Sequence, residues 1–138
     1  MLETAQKIRS LLERTHRIAV VGMSANPDRP SHYVARYLQH HGFEIIPVNP
    51  GQTEIAGLTC YPGLTEVPLP IDMVNVFRRP EHVASITDDA IAIGAKSLWL
   101  QLDVIDHVSA SRAEHAGLDV VMDRCLKIEH AALYKPDW

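Results

Sequence analysis

The residues with most chemistry to offer are a glycine, two serines, three arginines and a cysteine. Gly22 ends the apolar run 18–21, and Met23, Ser24 and a polar loop follow it. Arg29 and Ser31 close that loop, at a point where Pro30 suits the first turn of a helix. A strand that enters a helix through a glycine turn presents several unpaired backbone N–H groups at one point, an arrangement suited to an anion such as a nucleotide phosphate. A second run, 71–77, ends in Phe77-Arg78-Arg79, with Pro80 and Glu81 opening another helix. Guanidinium groups match phosphate oxygens in pairs, and the serine hydroxyls add donors. The competing reading leaves the arginines solvated or paired with Asp28 and Glu81.

Other reactive pairings are thin. Ser24 and His32 are the nearest nucleophile–base pair, eight residues apart across a loop and a helix start. No CxxC pair and no HExxH spacing occurs, so no metal site is expected. Cys125 stands at a helix start between Arg124 and Lys127, and both a helix N-terminus and nearby cations favour a thiolate. It reads either as a small buried apolar residue or as a redox site. Cys60 lies on an edge segment and reads as structural. His130 either pairs with Glu129 or caps its helix.

These groups need elements to hold them. Residues 3–15 form an amphipathic helix with Ile8, Leu11 and Leu12 near one face. The strand 18–21 follows, then a helix from about residue 30 to Gly42 that turns Val34, Tyr37, Leu38 and His41 toward a sheet. Strands are expected over 43–50, 57–61, 71–77, 97–102 and 118–122, and a proline-rich loop over 62–70. Helices are expected over 80–94 and 106–116, and Asp123 is placed as the N-cap of a closing helix that runs through Leu133. Trp138 is expected to pack back on the domain.

Alternating strands and helices predict an α/β fold with right-handed crossovers. This is a single three-layer, Rossmann-like doubly wound domain whose parallel sheet has five or six strands, ordered 3-2-1-4-5 with a sixth at the edge. The first and fourth strands are then neighbours from which the chain departs in opposite directions. The crevice at their C-terminal ends is the default ligand site, and the loops carrying Gly22 and Arg78 both open there.

Bulk properties agree. The chain's 138 residues, 46% hydrophobic and 22% charged, suit one domain with a proper core. A net charge of −4 gives no reason to expect nucleic acid or an anionic membrane as partner. The apolar runs are far too short for a membrane span, and residues 1–7 lack a signal-peptide core. Two cysteines make no disulfide framework, so a cytoplasmic location is expected.

The dinucleotide fingerprint calls for three glycines and a carboxylate at the end of the second strand. Here one glycine is present, and the strand-end position is Asn49, followed by Pro50. No Arg or Lys lies between residues 37 and 77 to meet the extra phosphate of NADP. A ligand with several phosphates and an amide-rich arm fits better than NAD or NADP.

Six segments in order carry a resemblance: 20–24, 29–31, 47–50, 76–80, 99–101 and 121–130. Together they resemble the small stand-alone coenzyme A-binding proteins, whose fold is similar to the N-terminal coenzyme A-binding domain of the succinyl-CoA synthetase α subunit. The resemblance spans nearly the whole chain. It implies coenzyme A, or an acyl-CoA, with the pyrophosphate over the loop from Gly22, Met23 and Ser24. The adenosine would lie near Asn49, Pro50 and the Phe77-Arg78-Arg79 corner. Phe77 either stacks on adenine or joins the core, and Gln101 either reaches the pantetheine amides or caps the next helix. Cys125 becomes a candidate for a mixed disulfide with the coenzyme thiol. The phosphorylated histidine and nucleotide-grasping parts of the synthetase lie in domains this chain does not have. The expected role is therefore non-catalytic binding. The alternatives are an NAD(P)-binding redox sensor or oxidoreductase, and a subunit of a multi-chain acyl-CoA ligase.

Overall fold

The computed structural model describes residues 1–134; Trp138 lies outside the described residues. A five-stranded sheet orders the domain as β2-β1-β5-β6-β7. These strands are β1 (Arg17–Val21), β2 (Glu44–Val48), β5 (Met73–Val76), β6 (Ser97–Leu100) and β7 (Asp119–Val121). Every pairing in it is parallel. The strands are buried on both faces, so they read as near-continuous Val, Ile and Leu runs rather than alternating ones.

Helices cover both faces. The faces separate by strand parity: Ile18, Val20, Met73, Trp99 and Val121 pack with Ile8, Leu11, Val34, Leu38 and Leu126. These helix residues come from α1 (Ala5–Glu13), α2 (Pro30–His40) and α5 (Leu126–Leu133). On the other face Ala19, Val74, Leu98 and Val120 meet Val83, Ile86, Ala90, Ala110 and Ala113, from α3 (Val83–Ala92) and α4 (His107–His115). This is the three-layer, doubly wound, Rossmann-like arrangement. The switch point lies between β1 and β5: the chain leaves β1 through α2 on one face and leaves β5 through α3 on the other.

Three expectations need correction. The expected third strand, 57–61, does not join the sheet. Residues there form a two-stranded antiparallel hairpin of β3 (Glu54–Ile55) and β4 (Leu58–Thr59), and only Tyr61 reaches β2, through one parallel bridge to Val48. Asp123 is not the N-cap of the closing helix. It sits at φ 61°, its carboxylate accepts from the Asp103 N–H at 2.8 Å, and the cap position falls to Cys125. His41 does not face the sheet; it is the exposed C-cap of α2.

Local chemistry sets the other boundaries. Thr4 caps α1 through its hydroxyl, and the Asp106 carboxylate caps α4 at the Ser109 N–H. α2 ends where Gly42 takes φ +95°, a backbone conformation that costs glycine little.

Candidate functional site

Gly22 stands at φ +89°, the first residue beyond β1. A Cβ there would lie 2.5 Å from the Phe77 carbonyl oxygen and 2.8 Å from Arg78 Cδ. The loops after β1 and β5 therefore touch through a missing side chain. The Gly22 N–H itself donates to the Val48 carbonyl at 2.8 Å, so it belongs to the sheet and is not open to a ligand.

Beyond Gly22 the loop is held from within. The Ser24 N–H donates to Ser31 Oγ at 2.9 Å, and Ser24 Oγ accepts from the Asn26 N–H at 3.0 Å. Both hydroxyl oxygens act as acceptors in these bonds, which leaves their protons to be donated elsewhere. His32 Nδ1 lies 2.8 Å from the Ser24 carbonyl oxygen, so that nitrogen carries the proton and the ring does not serve the Ser24 hydroxyl.

The opening is electropositive. α2 begins at Pro30 with Arg29 as N-cap and no side-chain hydrogen bond to its first amides, so its positive end is left uncompensated. Arg29 and Arg79 are exposed and Arg78 is half-buried. Among the described residues none of the three lies within 4.0 Å of a carboxylate. Arg9, Arg14, Arg17, Arg112 and Arg124 all have acidic partners. Of the four arginines without an acidic partner among the described residues, three stand at this opening; the fourth, Arg36, reaches the Ala56 carbonyl elsewhere.

One cleft of about 780 Å³ gathers Gly22, Ser24, Arg29, Ser31, Phe77, Arg78, Arg79, Gln101 and Cys125. Its floor is the C-terminal edge of the sheet, and its walls are the N-terminal ends of α2 and α5. Gln101, just past β6, is buried. Its Oε1 accepts from Asn75 Nδ2 at 3.0 Å and from the Leu126 N–H at 3.1 Å. It therefore caps α5, not the helix that follows it in sequence, and Nε2 has no partner among the described residues. Trp99 Nε1 donates to the Arg124 carbonyl at 2.8 Å, which fixes the turn carrying Cys125.

The cations beside Cys125 in sequence are engaged elsewhere. Arg124 binds the Glu129 carboxylate at 3.0 Å and the Glu3 carbonyl at 3.0 Å. Lys127 Nζ lies over the rings of Tyr33 and Tyr37 at 5.3 and 5.5 Å. Cys125 is half-buried on the cleft wall. Cys60 is buried, and desolvation pushes its thiol pKa up, while a backbone hydrogen bond at Asn49 pulls the other way.

Three candidate residues stand apart from the cleft. Met23 is fully buried in the core. Its carbonyl accepts from Asn49 Nδ2 at 2.9 Å, while Asn49 Oδ1 accepts from the Gly51 N–H at 2.9 Å. Asn49 thus braces the glycine loop against β2. Pro50 lines a smaller adjoining hollow of about 200 Å³, which Arg78 also borders. Phe77 lines the large cleft while packing against the core on the α2 face.

Other participants were not anticipated. Tyr33 and Ile128, 44% and 60% exposed, form apolar lips on either side of the cleft. Asn75 is a fully buried amide in the middle of β5, and its Oδ1 has no partner among the described residues. A lone polar residue inside the apolar run 73–77 was the available signal for it.

Behind α5, His130 is buried against Tyr37, His41, Phe43 and Tyr134. Its Nδ1 lies 2.8 Å from the Tyr37 hydroxyl. Burial, and then the nearby His41, pull the His130 pKa below its ordinary value, while burial raises that of Tyr37. The phenol therefore donates to a neutral imidazole. His130 neither caps its helix nor pairs with Glu129, whose carboxylate bonds Arg124. Among the described residues no group of three or more His, Cys, Asp or Glu side chains is placed to hold a metal ion. None of their helices is long and apolar enough to cross a membrane.

Residues 16–131 match the CoA binding domain family. The chain belongs to that family. It is 40% identical over 125 residues to the uncharacterized protein YneT of Bacillus subtilis, covering 91% of this chain and 93% of that one. A structure of a hypothetical protein from Pyrococcus horikoshii superposes with a TM-score of 0.92 at 37% identity, covering 95% of this chain and 92% of that one. The ADP-forming acetate–CoA ligase II of Archaeoglobus fulgidus is 36% identical over 81 residues, which are 57% of this chain but 12% of the ligase. This CoA binding domain family member thus corresponds to a small part of a large ligase and to the greater part of the small proteins.

Proposed function

We propose that the domain, residues 1–138, binds coenzyme A or an acyl-CoA in the large cleft, as a cytoplasmic binding protein that does not transform its ligand. The observation that carries this reading is the uncapped start of α2 beside Arg29, Arg78 and Arg79, three arginines that have no acidic partner among the described residues. Polyphosphate at that point meets a helix dipole, two serine hydroxyls and guanidinium forks. The adenosine end lies toward the hollow shared by Arg78 and Pro50. The pantetheine arm runs along the sheet edge past Gln101, whose free Nε2 donates to an amide carbonyl of the arm. NAD is disfavoured because Asn49, which stands where a ribose-binding carboxylate would be, is already spent on Met23 and Gly51.

The arm ends beside Cys125. Its thiolate attacks the disulfide of oxidised coenzyme A; one S–S bond breaks, another forms to Cys125 Sγ, and coenzyme A leaves as a thiolate that takes up a proton. Titration calorimetry with coenzyme A, NAD and NADP tests the first claim: coenzyme A binds, and the dinucleotides bind at least tenfold more weakly. Comparable affinity for NAD would end the reading. Intact mass after treatment with oxidised coenzyme A tests the second: one adduct is expected, absent in Cys125→Ser, and an adduct retained in that variant would exclude Cys125.

The ligase relative supports a second reading, in which this chain supplies the coenzyme A domain of an acyl-CoA ligase assembled from separate chains. Co-purification with a nucleotide-grasping chain would favour it.

A further inference from the structure

A second hollow, of about 490 Å³, opens on the far side of Cys125. It shares Leu102, Cys125 and Ile128 with the main cleft, so the two form one continuous groove with the cysteine at the junction. We infer that this hollow takes the acyl chain of an acyl thioester of coenzyme A, and that the chain is a neutral aliphatic one. The inference rests on the coenzyme A reading and concerns only what lies beyond the sulfur.

Length argues for it. From the loop after β1 to the turn after β7 is three strand spacings, about 14 Å. A pantetheine arm has about 13 bonds between the pyrophosphate and the sulfur, which extend to about 15 Å at the reach of a peptide chain. With its phosphate at Gly22 and Arg78, the ligand carries its sulfur to Cys125, and anything attached to that sulfur continues into the second hollow.

The walls there carry an apolar strip. Leu2, Ile105 and Met122 line the hollow beyond the shared Leu102 and Ile128. Leu102, Ile105 and Ile128 are 51%, 43% and 60% exposed, so three large side chains stand in water around one opening. An aliphatic chain removes that surface from water. Polar groups line it too: Arg124 holds Glu129 and the Glu3 carbonyl, the Asp123 carboxylate holds the Asp103 N–H, the Met1 ammonium holds Glu114, and the Glu3 carboxylate and His107 complete the lining. A second carboxylate on the acyl group would meet the carboxylates of Glu3, Asp123 and Glu129, while the Arg124 guanidinium and the Met1 ammonium already have acidic partners.

Binding of free, acetyl-, butanoyl-, hexanoyl-, octanoyl- and succinyl-coenzyme A to the intact protein tests this. A fully buried methylene is worth roughly fourfold in affinity, so a half-open hollow predicts about twofold per methylene. Succinyl-coenzyme A is expected to bind no tighter than the free coenzyme. Ile105→Asp places a charge on the acyl wall away from the main cleft; it should flatten the chain-length trend and leave free coenzyme A within about twofold. Affinity that does not change with chain length in the unaltered protein overturns the inference while the coenzyme A reading stands. Failure of free coenzyme A to bind removes both.

Discussion

The Gly22 α-carbon abuts the Phe77 carbonyl so closely that a methyl group would have to sit 2.5 Å from the oxygen. This contact locks the turn after β1 to the arginine corner after β5. Gly22→Ala must move backbone, and it also forces a side chain onto φ +89°. Strain and overpacking each cost about 1–3 kcal/mol. Thermal melting should show a loss in that combined range, together with weaker coenzyme A binding. A melting temperature unchanged within a degree or two would mean that the two loops do not depend on each other.

Arg78 and Arg79 have no acidic partner among the described residues, and the coenzyme A reading gives them the phosphates to hold. Arg78→Ala and Arg79→Ala should each weaken coenzyme A binding about tenfold, the worth of one charge-assisted hydrogen bond, with little effect on stability. Arg36 lies outside the cleft and is the control; Arg36→Ala should leave affinity within about twofold. Equal losses in all three variants would point to diffuse electrostatics rather than a phosphate seat.

Gln101 separates positioning from contact. Gln101→Glu keeps an oxygen for Asn75 and the Leu126 N–H, and a carboxylate suits the start of a helix. It removes the Nε2 donor. The expected result is a fold that melts near the original temperature and a coenzyme A affinity lower by about fivefold to thirtyfold, from the lost donor and an unfavourable charge at the arm. Unchanged affinity would show that Gln101 acts only as a structural cap.

His130 should make the protein acid-sensitive. Its folded pKa is lowered by burial and then by His41, so the unfolded state binds the proton more readily. That stability is fully present above the unfolded value of about 6.5 and falls as pH drops below it, through the lower folded pKa. Denaturant melts from pH 8 to pH 5 should show this decline, reduced in His130→Asn. An equal slope in both proteins would assign the decline to other groups.

Much of this site could be read in the chain itself. Gly22, Arg29, Ser31, Arg78 and Gln101 all sit at the boundary between an apolar run and a helix start, and in a parallel sheet such boundaries share one edge. Lateral relations were harder to see. Asn49 looked like a ligand residue because it ends β2, but its amide reaches sideways to Met23. Asp123 looked like a cap until the neighbouring loop's Asp103 N–H claimed its carboxylate. The strands of the 54–59 hairpin are two residues each, too short for any alternation to appear. Tyr33 and Ile128 are single exposed apolar residues, indistinguishable in sequence from ordinary surface positions.

Both outer strands of the sheet are covered by nearby chain. Tyr61 pairs along β2, donating to the Pro47 carbonyl and accepting from the Asn49 N–H, while the Leu2 N–H bonds the Val120 carbonyl on β7. Each plug occupies backbone groups that another molecule's strand would otherwise recruit. The protein should therefore stay dispersed at high concentration, and trimming residues 1–4 would expose one flank and invite fibril-like self-association through β7.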